Sequence, residues 1–386
     1  KWETSADGTE WTFTLRDGVT FHNGKPCTAG EILRNFEHIK DPNSGSMLTP
    51  DFEDVEVFAP DDKTVVFTLT ESFAPFLAIL SHRVAMTDMD AYDGTKPIGT
   101  GPFKFVAYQK DAVIRYQRND DYWGEVPKIE NLVFAITPDA AVRLQKLRAG
   151  ECHLMPYPSP ADIDGIRNDP NLKLDEQPGL NVGYLAFNTT VAPFDDARVR
   201  KALNMAMDKQ AMVDAVYQGH AEVAKNPIPP TMWGYNDAIE DDVYDPEAAK
   251  ALLTEAGVSN LSLEVWAMPV QRPYMPNARR AAEMIQSDFS KIGVNVEVVS
   301  YEWGEYLKKS MESDRAGAVI LGWTGDNGDP DNFLSVLLSC ASANQAGANR
   351  AFWCDEEFSD LLARAKTSSD HDERVRLYEE AQVIFK

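Results

Sequence analysis

Apolar and polar residues alternate along the first third of the chain, as expected of strands that bury one face. The predicted strands cover residues 11–15, 64–69, 103–107, 113–116 and 132–136. A helix is predicted to begin at Thr28, because Thr-Ala-Gly-Glu matches a capping box and apolar residues follow at helical spacing. A second helix is predicted between Asp139 and Gly150. This region therefore predicts strands joined by turns, with few helices.

From residue 180 onward, strands and helices alternate. Strands are predicted at residues 182–187, 261–266, 294–299 and 318–323. The helices between them are predicted to begin near Asp195, Asp245 and Asn277, and the last two to end at Gly257 and Gly293. This order predicts an α/β fold with a mostly parallel sheet. The Glu-Gln-Pro-Gly segment before residue 180 is the predicted lobe boundary, giving a first lobe of residues 1–179 and a second lobe of residues 180–386.

Length and charge narrow the functional classes. The 386 residues allow two or three domains at about 150 residues each. The net charge of −24 makes nucleic acid and anionic lipid poor partners, because both are bound through clustered Lys and Arg. No apolar run approaches the ~18 residues of a membrane span. The six His residues are scattered, and no zinc, serine-hydrolase or phosphate-loop motif occurs, so the sequence gives little support for a metal site or for His-based catalysis, whereas catalysis by a carboxylate pair stays open.

The densest polar segment, residues 322–331, directly follows the apolar strand predicted at 318–323. Its three Asp residues do not match the spacing of a calcium-binding EF-hand loop. A tight acidic turn without function is one interpretation. The other is a ligand site, because ligands bind beyond the carboxyl ends of strands in α/β sheets. In that interpretation the Asp326 carboxylate faces a cationic ligand group such as an ammonium, beside the Trp323 ring and the Thr324 hydroxyl.

Two further strand ends carry candidate binding residues. Arg272 follows the strand at 261–266 and precedes Pro273 and Tyr274. A guanidinium is suited to binding a carboxylate through two hydrogen bonds. Trp303 follows the strand at 294–299. An isolated surface Arg is the plainer interpretation, but a cation, an anion and aromatic side chains at consecutive strand ends together fit a zwitterionic ligand with an apolar middle, such as an amino acid or short peptide.

The four cysteines are too few for a disulfide scaffold. Cys340 and Cys354 are close enough in sequence to form a bridge, which would indicate an oxidising compartment. Two free thiols are the alternative. Cys27 and Cys152 have no evident partner.

At these residues the chain resembles the bacterial periplasmic solute-binding proteins of family 5, which deliver peptides to ABC transporters. The resembling stretches span nearly the whole chain and are residues 18–24, 97–103, 121–124, 134–139, 180–184, 228–237, 266–280, 301–307 and 322–333.

The resemblance implies a two-lobe α/β fold with mixed sheets, a hinge, an extra subdomain in the first lobe, and a ligand enclosed between the lobes. It implies that Asp326 binds the ammonium of a dipeptide and Arg272 its carboxylate. The same resemblance has Trp303 and Trp323 line the side-chain space, with Thr324 and Gly325 adding polar contacts. Tyr274 is a further expected ligand-binding residue.

The resemblance also pairs Cys340 with Cys354 and gives Cys152 a partner near the mature N-terminus. Family chains begin and end some tens of residues beyond this one, so we expect part of the first lobe to lie outside it. A periplasmic monomer without cofactor is implied, whose partners are a dipeptide or short peptide, an ABC permease and a chemoreceptor.

Alternatives remain at this point. The same scaffold in other members binds haem, glutathione, 5-aminolevulinate or nickel chelates. A hydrolase that uses a carboxylate pair is a different class, against which the lack of a nucleophile motif counts. The leading hypothesis is non-enzymatic capture of dipeptides by hinge closure.

Overall fold

A computed structural model describes residues 1–46 and 48–386 of the chain. The chain forms two compact units. The first consists of Lys1–Val142 with Thr367–Ser369, and the second of Arg143–Lys366 with Asp370–Lys386. The contacts within the chain therefore divide it after residue 142. The boundary between two lobes near residue 180 stays a prediction.

The first unit is built on antiparallel strands. Its elements are β1 (Trp2–Thr4), β2 (Glu10–Thr14), α1 (Ala29–Lys40), α2 (Thr49–Phe52), β3 (Glu56–Asp61), β4 (Thr64–Thr68), α3 (Phe76–Arg83), β5 (Phe103–Gln109), β6 (Val113–Arg118) and β7 (Asn131–Ala135). Four strands pair in the order β1-β2-β4-β3, and β5-β6-β7 form a separate sheet. Phe36, Phe52, Phe67 and Phe76 form edge-to-face contacts in the core between the first sheet and its helices.

The second unit contains an α/β sheet. The unit boundary falls within α4 (Ala140–Arg148), and the further elements are α5 (Ile163–Arg167), β8 (Asn181–Ala186), α6 (Ala197–Ala206), α7 (Lys209–Met212), α8 (Pro246–Glu255), β9 (Ser262–Trp266), α9 (Ala278–Lys291), β10 (Asn295–Val299), α10 (Trp303–Ser310), β11 (Ala318–Thr324), α11 (Asp331–Leu338), α12 (Glu356–Thr367) and α13 (His371–Phe385). A π-helical turn, Val213–Tyr217, follows α7. The sheet order is β10-β9-β11-β8, in which β8 is antiparallel and the other three strands are parallel.

Two apolar clusters bury the sheet of the second unit. One contains Val265, Val319 and Phe289 and joins the sheet to α6, α8 and α9. The other contains Phe333 and Tyr378 and joins the sheet edge to α11, α12 and α13. The sheet is therefore packed against helices through both clusters, and its strand ends carry the loops described below. None of the described helices is both long and apolar enough to cross a bilayer.

Most predicted elements are present, and the α/β class with mixed sheets is confirmed. Asp245 is the N-cap residue of α8, and its carboxylate accepts a hydrogen bond from the Ala248 N–H at 2.9 Å, as the sequence indicates. The predicted capping box at Thr28 is wrong in detail. Thr28 is the N-cap residue but makes no side-chain cap hydrogen bond, and the Glu31 carboxylate pairs with Lys25 (2.9 Å) and Arg34 (3.4 Å).

Candidate functional site

A cavity of about 280 Å³ lies in the second unit, at the carboxyl ends of β9, β10 and β11. It is lined by Tyr184, Arg272, Pro273, Tyr274, Trp303, Leu307, Leu321, Gly322, Trp323, Thr324, Asp326, Leu337, Ala348 and Arg350. Six of the seven ligand-binding residues predicted from the sequence are in this set. They meet because the carboxyl ends of parallel strands open at one edge of the sheet. The predicted Gly325 does not line the cavity.

Two glycines allow the loop after β9 to lie against the sheet. Gly183 and Gly322 face each other across β8 and β11. A Cβ at Gly183 would lie 2.6 Å from the Tyr274 carbonyl oxygen, and one at Gly322 would lie 2.4 Å from the Tyr274 ring. The same carbonyl accepts a hydrogen bond from the Tyr217 hydroxyl at 2.8 Å. Tyr274 is thereby held flat on the sheet, and its burial raises the pKa of its hydroxyl.

Arg272 is positioned by its backbone and by an aromatic ring. Its N–H donates to the Met275 carbonyl at 3.1 Å, and its own carbonyl accepts from the Met275 N–H at 3.0 Å. The guanidinium carbon lies 4.6 Å from the centre of the Trp303 ring, a cation–π distance. The guanidinium thus lies against the aromatic wall of the cavity and next to the Tyr274 hydroxyl, where it partly offsets the rise in pKa that burial causes.

The helix start of α10 fixes Trp303. The Glu302 carboxylate caps α10 by accepting hydrogen bonds from the N–H groups of Gly304 (2.9 Å) and Glu305 (3.3 Å). The Trp303 ring stacks on Tyr306 at 5.7 Å between ring centres. The buried Tyr306 hydroxyl lies 2.9 Å from the Trp266 carbonyl and 2.7 Å from the Ile320 carbonyl, so it links β9 to β11. This aromatic wall is therefore anchored in the sheet.

One side chain that the sequence did not single out, Asn332, orients two predicted residues. Its Oδ1 accepts hydrogen bonds from the Trp323 indole N–H and from the Asp326 backbone N–H, both at 2.9 Å. Its Nδ2 donates to Asp326 Oδ2 at 3.3 Å. Asn332 is buried in the first turn of α11. It acts as a positioning residue for the acidic loop.

The neighbours of Asp326 are placed by β8. The Thr324 hydroxyl donates to Asn181 Oδ1 at 2.7 Å. The Gly325 N–H donates to the Leu180 carbonyl at 2.7 Å, and a Cβ at residue 325 would lie 2.7 Å from the Phe333 ring. Gly325 therefore has a steric role here, because only glycine permits this close approach.

A buried ion pair stabilises the far side of the acidic loop. Arg374 Nη2 donates to both oxygens of the Asp329 carboxylate at 2.9 Å, and only 9% and 10% of the two side chains are exposed. The guanidinium also donates to the Ala365 carbonyl (2.9 Å) and lies 5.0 Å from the Trp233 ring centre. The Trp233 indole N–H in turn donates to the Gly328 carbonyl at 3.0 Å. These contacts join the loop to α12 and α13.

The segment before α12 supplies the other wall of the cavity. Cys340 and Cys354 form a disulfide, as the family resemblance implied. The loop that it closes carries Ala348 and Arg350, neither of which the sequence singled out. Burial lowers the pKa of Arg350 and raises that of the neighbouring Tyr184 to about 12.

The two free cysteines are not among the residues that line this cavity. Cys27 and Cys152 are unpaired within the described part of the chain, and burial raises the pKa of the Cys27 thiol to about 11. Among residues 1–46 and 48–386, no three His, Cys, Asp or Glu side chains are grouped in a way that could hold a metal ion.

Charged and aromatic side chains around a cavity at the strand ends of an α/β sheet make this cavity the candidate small-molecule site. The model of the bacterial extracellular solute-binding proteins, family 5 Middle, matches residues 1–345. The chain belongs to this family of solute-binding proteins.

Three known proteins illustrate the relationship. The dipeptide-binding protein of Escherichia coli (strain K12) is 49% identical over 100% of this chain and 77% of its own length. Heme-binding protein A of Haemophilus influenzae is 43% identical over 99% of this chain and 75% of its own length. The crystal structure of a dipeptide binding protein from Pseudoalteromonas sp. SM9913 in complex with Met-Leu has a TM-score of 0.91 and 35% identity, covering 100% of this chain and 82% of that one.

Proposed function

We propose that this protein captures dipeptides in the periplasm by lobe closure and delivers them to an ABC permease, without catalysing a reaction. The observation that carries the proposal is that a guanidinium, Arg272, and a carboxylate, Asp326, line one cavity together with Trp303 and Trp323. The relatives named as dipeptide-binding proteins and the neighbour that holds Met-Leu support this ligand class.

The charges of the cavity match the two ends of a dipeptide. Arg272 binds the α-carboxylate, because it lines the cavity and a guanidinium can bind a carboxylate through two parallel hydrogen bonds. Asp326 binds the α-ammonium, and Asn332 fixes its position. Since both charged groups are fixed, a longer peptide could not satisfy both at once. The aromatic side chains supply apolar surface beside the peptide's own side chains.

Calorimetric titration of matched ligands tests these roles. The ligands are Ala-Ala, N-acetyl-Ala-Ala, which lacks the ammonium, and Ala-Ala amide, which lacks the carboxylate. Asp326→Asn is expected to weaken Ala-Ala binding by about 30-fold or more, because a buried ammonium loses its partner. It is expected to change binding of the acetylated peptide much less. Arg272→Gln should show the converse pattern with the amide.

Exposed residues of the same type provide controls. Asp314→Asn and Arg280→Gln remove the same charges from surface positions of the second unit that do not line the cavity. Both are expected to bind Ala-Ala like the unchanged protein. Equal affinity of Asp326→Asn and the unchanged protein for Ala-Ala would refute the assignment of Asp326.

A haem ligand is the second candidate, favoured by the relative named as a heme-binding protein. The described cavity lining contains none of His, Cys and Met, so Tyr184 and Tyr274 are its only side chains of a type that ligates haem iron. Native mass spectrometry of the purified protein distinguishes the two. A co-purifying dipeptide on a monomer supports the proposal, and a bound haem contradicts it. Intact dipeptide after prolonged incubation with the protein would support the absence of hydrolysis.

A further inference from the structure

Arg350 is a charged lining residue that the binding of a simple dipeptide does not use. Its Nη1 donates to the Gly347 carbonyl at 2.7 Å, but its Nε is buried without a hydrogen-bond partner. Within the described residues it forms no ion pair with a carboxylate, although it lines the same cavity as Asp326. A guanidinium has five N–H donors, and within the described residues Nη1 is the only side-chain nitrogen of Arg350 that donates a hydrogen bond.

The neighbouring Arg315 differs from Arg350, because its guanidinium is bound to backbone carbonyls and does not line the cavity. Each of its three guanidinium nitrogens donates to a backbone carbonyl: those of Gly317 (2.8 Å), Ser310 (2.5 Å) and Arg350 (2.6 Å). Burial, and secondarily the charge of Arg350, lower the pKa of Arg315 to about 10. Two cations therefore lie close together here, and only Arg350 reaches the cavity.

The charge balance of the cavity indicates what would pair with Arg350. Among the described lining residues, Arg272 and Arg350 are cationic and Asp326 is anionic. A dipeptide zwitterion pairs with Arg272 and Asp326 and leaves Arg350 without a counter-ion. An unpaired charge excluded from water is costly, and a carboxylate on the ligand removes that cost.

We propose that Arg350 makes this cavity selective for dipeptides that carry an acidic side chain, whose carboxylate pairs with its guanidinium. This inference rests on the proposed function, because it assigns the side-chain preference of the same site. The disulfide between Cys340 and Cys354 closes the loop that carries Arg350, and so limits how far its guanidinium can move away from a bound carboxylate.

Isosteric peptides test the inference by calorimetry. The full chain is titrated with Ala-Glu, Ala-Gln, Glu-Ala, Gln-Ala and Ala-Ala. In at least one position, glutamate is expected to bind about 10- to 100-fold more tightly than glutamine, as expected for a hydrogen-bonded charge pair. In Arg350→Met this ratio is expected to fall towards one, and in Arg350→Lys it should be partly retained.

The ratio within each protein is the readout, so a general loss of affinity or folding in a variant does not imitate the result. Arg280→Met, an exposed residue outside the cavity, is expected to keep the full ratio. Equal binding of glutamate and glutamine peptides by the unchanged protein overturns the inference and leaves the proposed function intact. A ratio that persists in Arg350→Met overturns it as well. Failure of all five peptides to bind overturns the proposed function itself.

Discussion

Replacement of Arg374 by Met tests how the acidic loop is held. In the folded protein, both side chains of the Asp329–Arg374 pair are about nine-tenths buried. The substitution keeps an apolar side chain of similar length beside Trp233 and Tyr378, but it leaves the Asp329 carboxylate without its guanidinium. We therefore expect the free energy of unfolding to fall by about 3–5 kcal/mol, the usual cost of removing one partner of a buried pair.

The magnitude follows from the contacts that are lost. Two charge-assisted hydrogen bonds at 2.9 Å join Arg374 to the Asp329 carboxylate, and two more join it to the Ala365 carbonyl and the Tyr378 hydroxyl. The guanidinium also lies over the rings of Trp233 and Tyr378, at 5.0 and 5.6 Å from their centres. The uncompensated charge of Asp329 is the largest part of the expected cost.

Native-state hydrogen exchange of the α13 amides at increasing urea concentration measures the effect within the second unit. Asp329→Asn combined with Arg374→Met removes both charges and should cost less than the sum of the two single substitutions. Arg376→Met removes an exposed charge from the same helix and is expected to change stability by less than about 0.5 kcal/mol. A loss below about 1 kcal/mol in Arg374→Met, or additive costs in the double variant, would refute the reasoning.

Three further outcomes are expected. Replacing Cys340 and Cys354 by Ser should lower the free energy of unfolding by about 3 kcal/mol in urea titrations, because the bridge closes a short loop in the unfolded chain. Burial raises the pKa of the Asp331 carboxyl in the folded state, so this group stabilises the fold below the ordinary aspartate pKa and loses that contribution as pH rises through its folded pKa. The melting temperature of Asp331→Asn relative to the unchanged protein should therefore rise from about pH 4 towards neutral pH. Gly322→Ala should weaken Ala-Ala binding and cost about 1–3 kcal/mol in urea titrations, because the new methyl group lies 2.4 Å from both the Tyr274 ring and the Val182 carbonyl.

Each of these has a result that contradicts it. An unchanged urea midpoint after removal of the disulfide would contradict the first. A difference in melting temperature that stays constant with pH would show that Asp331 does not titrate differently in the folded state. Gly101→Ala, where the added Cβ meets no atom within 4 Å, is the control for Gly322→Ala, and equal effects of the two would contradict the steric argument.

The candidate site combines side chains from consecutive strand ends with one wall from a disulfide-closed loop. Arg272 and Asp326 follow β9 and β11, and Trp303 follows β10. Their convergence follows from the parallel arrangement of these three strands. Arg350 reaches the same cavity from a segment that is not part of the sheet.

The sequence by itself determined the elements and the strand-end residues. Alternation and capping signals are local, so β9, α8 and α9 appear where the pattern predicts them. The rule that ligands bind beyond the strand ends of an α/β sheet also selected Arg272, Trp303 and Asp326 before their proximity was visible. The family resemblance added the pairing of Cys340 with Cys354.

Only the tertiary structure decided how these residues are supported and what else faces the ligand. Asn332, the opposed glycines at 183 and 322, and the Asp329–Arg374 pair act through contacts between distant segments, which no local pattern encodes. Arg350 was not singled out for the same reason. An arginine in a polar loop is ordinary in sequence, and it becomes informative only when the fold buries its Nε and leaves the guanidinium beside a cavity without a carboxylate partner in the described chain.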